Sequence, residues 1–361
     1  MKNKIIKIIC ILITILFLTS SIISAIPIHS KDKNYKNVDQ KTISNKPDNT
    51  LYVGGSGPNN YTKIQDAIND AFNGDTVFVF DDSSPYFENI IIDKIINLIG
   101  EDKKTTIIEA TELENVVKIS ANYVKISKFT IRNKAPIAKA GILGYTNYSI
   151  LSDNKIISNN WSGLVLVNSH FNEITGNIVS SNRWKGIYLG TCNCNIISGN
   201  TIISNNKEGI FQYNSSNNKI TGNIISKNEI GIYTSLYCSN NIISDNIAFF
   251  NEYAIRFYES GYNNTIRHNS IRWNRYGLSM EYSYNNRIEN NNFVRNIFNA
   301  HFDGYYLDEN RTNYWNGNYW NRPRILPKII FGTLWTYGPF QWEFDLDIDR
   351  NPAQEPFYIG F

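Results

Sequence analysis

The sequence predicts an all-β solenoid with three short strands per coil of about 22–23 residues. Asparagine ladders, apolar columns and a recurrent glycine predict it. One ladder reads Asn154, Asn177, Asn200, Asn223, Asn246, Asn269 and Asn291, in steps of 23 residues that shorten to 22 at the last. The other follows five residues behind, at Asn159, Asn182, Asn205, Asn228, Asn251, Asn274 and Asn296. A period of this size belongs to repeats that bury their apolar edges only against their neighbours, so residues one period apart become neighbours in space.

Three apolar columns keep the same period. Leu151, Ile174, Ile197, Ile220, Ile243, Ile266 and Ile288 form the first; Ile156, Val179, Ile202, Ile225, Ala248, Ile271 and Phe293 the second; Leu164, Ile187, Ile210, Ile232, Ile255 and Leu278 the third. β-Branched stripes of this kind imply strands that point alternate side chains into a shared core. A glycine stands before most third strands, at Gly141, Gly163, Gly186, Gly209, Gly231 and Gly277, where a turn or close coil packing needs it. Asparagine tolerates left-handed backbone, and stacked amides can bond from coil to coil, so the ladders are assigned to structure. A leucine-rich repeat has an overlapping period, but the columns favour Ile over Leu and no helical stretch lies inside the repeat.

Ahead of the coils, Lys2, Lys4 and Lys7 precede an apolar run from Ile8 to Leu18, and small residues lead to Ala25 before Pro27. That order reads as a secretory signal over 1–26, with an uncleaved membrane anchor as the alternative. Residues 27–49, rich in Lys, Asn, Asp and Ser, read as a flexible linker. Over 50–75, Tyr61–Phe72 carries Ile64, Ala67, Ile68 and Ala71 on one helical face, with Thr62 and Gln65 in capping-box spacing and Gly74 after it. Such a helix is expected to cover the open end of the solenoid. The coils are assigned to 76–304, and the aromatic-rich segment 305–361, with Trp315, Trp320, Trp335 and Trp342, to a C-terminal cap.

The glycine-led apolar triplets, the N-x-I-x-x-N corners such as Asn172–Asn177 and Asn195–Asn200, and the opening "YTKIQDAINDAFNGDTVFVF" resemble exported right-handed parallel β-helix proteins of the pectin-lyase-like group, common in archaea. They are similar to the repeat region of NosD, an accessory protein in nitrous oxide reductase maturation, and to the carbohydrate-binding and sugar-hydrolysis repeat family. The resemblance spans roughly residues 50–320 and is specific for fold, because the repeat is a scaffold on which function is grafted.

Three site chemistries follow. Tyr188, Phe211 and Tyr233 succeed the inward residue of consecutive third strands, so alternation turns them outward in a stack, with Trp161 and Trp184 at the preceding turn. Rings bordered by Asn and Arg suit sugars, which combine apolar faces with hydroxyls. A catalytic alternative rests on Glu259, Glu281 and Asp303 near one turn with Arg256 close by, since acids on adjacent coils lie about 5 Å apart. Opposite charges stacked on a solenoid surface also form plain solvated ladders. The resemblance to NosD, with Cys192 and Cys194 in a C-x-C, raises copper; calcium is the other ion this fold group uses. Against copper, Cys192 and Cys238 share a column with Ser169, Ser215, Gly261 and Ser283, as buried small side chains would. A net charge of +3 leaves no polybasic patch for nucleic acid. The expectation is therefore an exported protein without catalytic activity or a required cofactor. Its expected partner is a polysaccharide, a glycoconjugate or another cell-envelope component.

Overall fold

The computed structural model describes residues 49–359 apart from 112–113, 134–138, 306–311 and 336–341. The signal at 1–26 and all of the linker before Asn49 lie outside the described residues. Among the described residues, no helix is long and apolar enough to cross a membrane.

The coils stack into three sheets of 12, 11 and 12 strands, numbered here in the order each coil visits them. In the coil beginning at Ile150, Ile150–Ser152 belongs to sheet 1, Lys155–Ile157 to sheet 2 and Leu164–Val167 to sheet 3. Neighbouring coils pair in parallel with the apolar columns in register, as in Ile174↔Ile197, Val179↔Ile202 and Ile187↔Ile210. All three columns are fully or almost fully buried and form one continuous core. Short strands with one inward residue each suffice for sheets 1 and 2. Sheet 3 strands lengthen to six residues from Glu208–Tyr213 onward and so carry more outward positions.

The corners explain the asparagines. Asn177 Oδ1 accepts both the backbone N–H of Asn154 (2.9 Å) and its Nδ2 (3.2 Å), while Asn177 Nδ2 donates to Asn200 Oδ1 (3.0 Å) and to the Leu151 carbonyl (2.8 Å). The 159 ladder repeats the pattern, with Asn182 accepting from Asn159 and donating to Asn205. Each amide thus satisfies backbone groups that a turn would otherwise leave unpaired in the interior. A third ladder, not counted in the sequence, runs through Asn172, Asn195, Asn218, Asn241, Asn264, Asn286 and Asn313. The glycine column has a packing cause. A Cβ at Gly186 would stand 2.6 Å from the Gly209 carbonyl oxygen.

At the N-terminal end the helix, α1, spans only Ile64–Asp70, and Ile64, Ala67 and Ile68 join the core. The capping box expected from Thr62 and Gln65 does not form. Instead the Glu88 carboxylate accepts the N–H groups of Ile64 (2.8 Å) and Gln65 (2.9 Å) from the following coil. Sheet 1 already starts ahead of this helix, at Thr50–Val53.

The C-terminal segment, assigned to a cap from residue 305, first continues the coils. Tyr314–Asn316, Tyr319–Trp320 and Lys328–Trp335 add a further strand to sheets 1, 2 and 3, after an insertion that stretches the ladder step to 27 residues between Asn291 and Asn318. Trp342–Asp349 then turns back antiparallel to Lys328–Trp335 and ends sheet 3. Its Asp349 terminates the first ladder: Oδ2 accepts Asn318 N (2.9 Å), Asn318 Nδ2 (3.1 Å) and Trp320 Nε1 (3.0 Å). Two residues earlier, buried Asp347 accepts Trp315 Nε1 at 2.9 Å. An acceptor-only carboxylate is the natural end of a chain of amide donors.

Candidate functional site on the outer face of sheet 3

Outward positions on sheet 3 change character along the axis. The middle column reads Val165, Tyr188, Phe211, Tyr233, Arg256, Ser279 and His301 by strand register. Tyr188 stacks on Phe211 at 5.5 Å between ring centroids, and Phe211 on Tyr233 at 5.0 Å. All three are half-buried. Stacking spends much of each ring face on the next ring, so edges and phenolic hydroxyls carry more of the contact surface than the sequence reading assumed. Lys185 Nζ covers Phe211 at 4.5 Å and Trp184 at 5.1 Å, and Trp184 meets Trp161 edge to face at 6.4 Å on the preceding corner.

After Tyr233 the middle column turns polar, while rings continue beside it on the same strands, where Tyr253 stacks on Tyr276 (4.5 Å) and Tyr276 on Phe298 (5.1 Å). The Arg256 guanidinium lies over Tyr253 (5.0 Å) and Tyr233 (5.6 Å) and grips Glu281 through Nε to Oε1 (3.0 Å) and Nη2 to Oε2 (2.9 Å). Ser279 Oγ lies 3.1 Å from Glu281 Oε1 and 3.0 Å from His301 Nε2. With the serine hydrogen given to the carboxylate, His301 must donate its Nε2–H to Ser279, which leaves Nδ1 bare; Nδ1 is buried without a partner. Burial lowers the His301 pKa, against the opposing pull of Asp303 and Glu281, so the ring is neutral at pH 7. Asp303 pairs in register with Glu281 and accepts the Thr333 hydroxyl.

The structure therefore unites three of the four residues proposed for catalysis, Arg256, Glu281 and Asp303. Glu259 stands apart, exposed on the next corner at φ 45°, with its N–H on the Glu281 carbonyl. Sequence reasoning passed over Ser279 and His301, although both fall two positions before an assigned acid and hence on the same strand face. It also missed a second aromatic stack, Tyr123, Tyr148 and Phe171, with centroids 5.1 and 5.0 Å apart on exposed corners of positive φ.

The cysteines separate. Cys192 Sγ points at the Gly190 and Leu166 carbonyls in the interior, whereas Cys194 occupies a positive-φ corner in line with the Tyr148–Phe171 stack. Burial pushes the thiols of Cys192 and Cys238 up to about 11, so neither is a thiolate at neutral pH. Their column is a hydroxyl–thiol ladder, in which Cys192 N–H donates to Ser215 Oγ and Ser215 N–H to Cys238 Sγ. Ser260, bonded to Ser283, holds the place assigned to Gly261. Among the described residues no three His, Cys, Asp or Glu side chains gather as metal ligands would.

Residues 140–293 match the family model for the right handed beta helix region. Over most of its length the chain resembles several solved structures: the Dettilon tailspike protein (TM-score 0.59, 14% identity, 74% of this chain and 61% of that one), the pectate lyase Pel9A (0.53, 12%, 72% and 76%) and the Agl-KA catalytic domain (0.51, 12%, 80% and 64%). The chain is thus a right-handed parallel β-helix of pectin-lyase-like fold, spanning 61% of the tailspike's length. No curated protein sequence matches it.

Proposed function

We propose that this protein is exported and binds a polysaccharide along the outer face of sheet 3, with Tyr188, Phe211 and Tyr233 as the main contact. The carrying observation is the uninterrupted aromatic stack on the sheet with the longest strands. Its spacing of 5.0–5.5 Å follows the coil repeat and offers an extended polymer the same contact at each coil. Export rests on the basic, apolar and small-residue order of residues 1–26. The solved structures of like fold include a pectate lyase, an enzyme acting on a polysaccharide.

A second reading, catalysis on the bound polymer, has one observation in its favour: Arg256, Glu281, Ser279 and His301 form a continuous hydrogen-bonded chain beside the stack. Binding without turnover is the better fit. Both Glu281 oxygens are engaged by Arg256 and one also by Ser279, so three of the carboxylate's roughly four acceptor positions are already taken, which leaves it poorly placed to move a proton on a substrate.

Affinity electrophoresis against a panel of polysaccharides tests the proposal. Tyr188→Ala with Tyr233→Ala is expected to weaken binding at least about tenfold, a loss of about 1.4 kcal/mol. Lys219→Ala, on the outer face of sheet 1, should leave it unchanged. A double variant that binds like wild type overturns the assignment of this face. Release of reducing ends or unsaturated products, abolished by Glu281→Gln, would establish the catalytic reading instead.

A further inference from the structure

The charges on this face point to the class of polymer. From Tyr188 to Asp303, the strands of sheet 3 carry one cation, Arg256, and three carboxylates, Glu208, Glu281 and Asp303; a second cation, Lys185, stands on the corner that leads into the Tyr188 strand. Lys185 is paired with Glu208 at 2.8 Å and Arg256 with Glu281 at 2.9 Å, and all four side chains are largely buried. Asp303 makes no ion pair with Lys or Arg among the described residues. The neutral His301 supplies no cation in its place. On the flanking corners, Lys207 pairs with Glu229 (2.7 Å) and Arg275 with Glu252 (3.3 Å), Arg183 donates to Asn160 Oδ1 (3.0 Å), and Glu259 is exposed. Lys118 lies in the same column three coils before Tyr188, outside the stack.

A polyuronate carries one carboxylate per sugar and needs cations free to receive it, in the bidentate manner for which arginine is suited. Here the arginine's fork is already filled by Glu281. We infer that the face selects an uncharged polysaccharide and rejects polyuronates, with Glu281 as the specificity-determining residue that keeps Arg256 from an anionic sugar. This rests on the binding reading above. The device is one of exclusion: the same aromatic stack would serve both polymers, and the matched ion pairs with the surplus acid discriminate between them.

The experiment compares neutral polymers (β-glucan, xylan, mannan) with polygalacturonate and alginate. It uses the full chain in EDTA, so that only the protein's own cations count. Wild type is expected to bind at least one neutral polymer, and both polyuronates at least about tenfold more weakly. Glu281→Gln should raise polyuronate affinity at least about tenfold, with a gain that fades as salt screens it, and Arg256→Met added to it should abolish the gain. Wild type binding a polyuronate as tightly as any neutral polymer overturns the inference, whatever the variants do, and leaves the binding reading standing. Wild type binding neither class overturns the binding reading itself. A properly folded Glu281→Gln without the gain removes Glu281 from the role.

Discussion

Sheets 1 and 3 are made by the same coils and share the same core, yet their outer faces have little in common. Sheet 1 presents small polar, charged and β-branched residues such as Thr175, Ser198, Lys219 and Ile242 on three-residue strands, bounded on both sides by asparagine ladders. Sheet 3 carries six-residue strands whose outward positions hold stacked rings and, beside the later ones, an arginine–glutamate–serine–histidine chain. Strict periodicity marks the scaffold, because each residue there must satisfy the coil before and the coil after. Departure from periodicity, on a face with room to spare, marks where selection has acted on something other than stacking.

The largest effect should come from breaking the scaffold. Asn223 accepts the N–H and Nδ2 of Asn200, and donates to Asn246 and to the Ile197 carbonyl, all in the interior. Asn223→Ala leaves several buried polar groups unpaired at once and is expected to cost about 4 kcal/mol in chemical denaturation. A cost below about 1 kcal/mol would mean that water replaces the amide and that the ladder is not what closes the coil.

Most of this contrast could be read from the chain. Steps of 23 residues, β-branched columns and the pre-strand glycine are local in sequence and repeated, so the coils, their register and the corner asparagines were all legible. The ends were not. Glu88 caps the helix, and Asp349 receives the ladder, from positions that no spacing rule connects to their partners. Strand alternation was enough to bring Tyr188, Phe211 and Tyr233 together, but the Arg256–Glu281 pair joins residues 25 apart, off the 23-residue step, because Arg256 reaches diagonally along the sheet.

The cap offers the next effect, with an unusual sign. Burial raises the Asp347 carboxyl from an ordinary 3.8 to about 6, so its charge is penalised in the folded cap. The penalty is absent below about pH 4, grows as pH rises to 6 and is complete above it, the reverse of a carboxylate stabilised by an ion pair. Asp347→Asn keeps an acceptor for Trp315 and is expected to stabilise the protein by about 2 kcal/mol at pH 8 while changing little at pH 4. Thermal unfolding of both proteins across that range checks it; a stabilisation that does not vary with pH would place the effect elsewhere.

Smaller again is the stability cost on the proposed binding face. Phe211→Ala removes a half-buried ring held between Tyr188 and Tyr233 and under Lys185, for about 1–2 kcal/mol. Its functional effect should exceed its structural one, because the gap divides the stack in two and a polymer loses contact on both sides. Equal wild-type affinity in a folded Phe211→Ala protein would separate the stack from ligand binding.

The smallest expected effect sharpens the comparison most. Lys219 is exposed on sheet 1, between Ile196 and Ile242 in its column, and only its backbone bonds to the coil before. Lys219→Ala should alter stability by less than about 0.5 kcal/mol and leave glycan affinity within error. The backbone ladder and the inward Ile220 hold that strand, and a lone lysine gives a neutral sugar no ring to lie against. If Lys219→Ala instead weakened binding as much as Phe211→Ala does, the ligand would run across sheet 1, and the regular face would be the one in use.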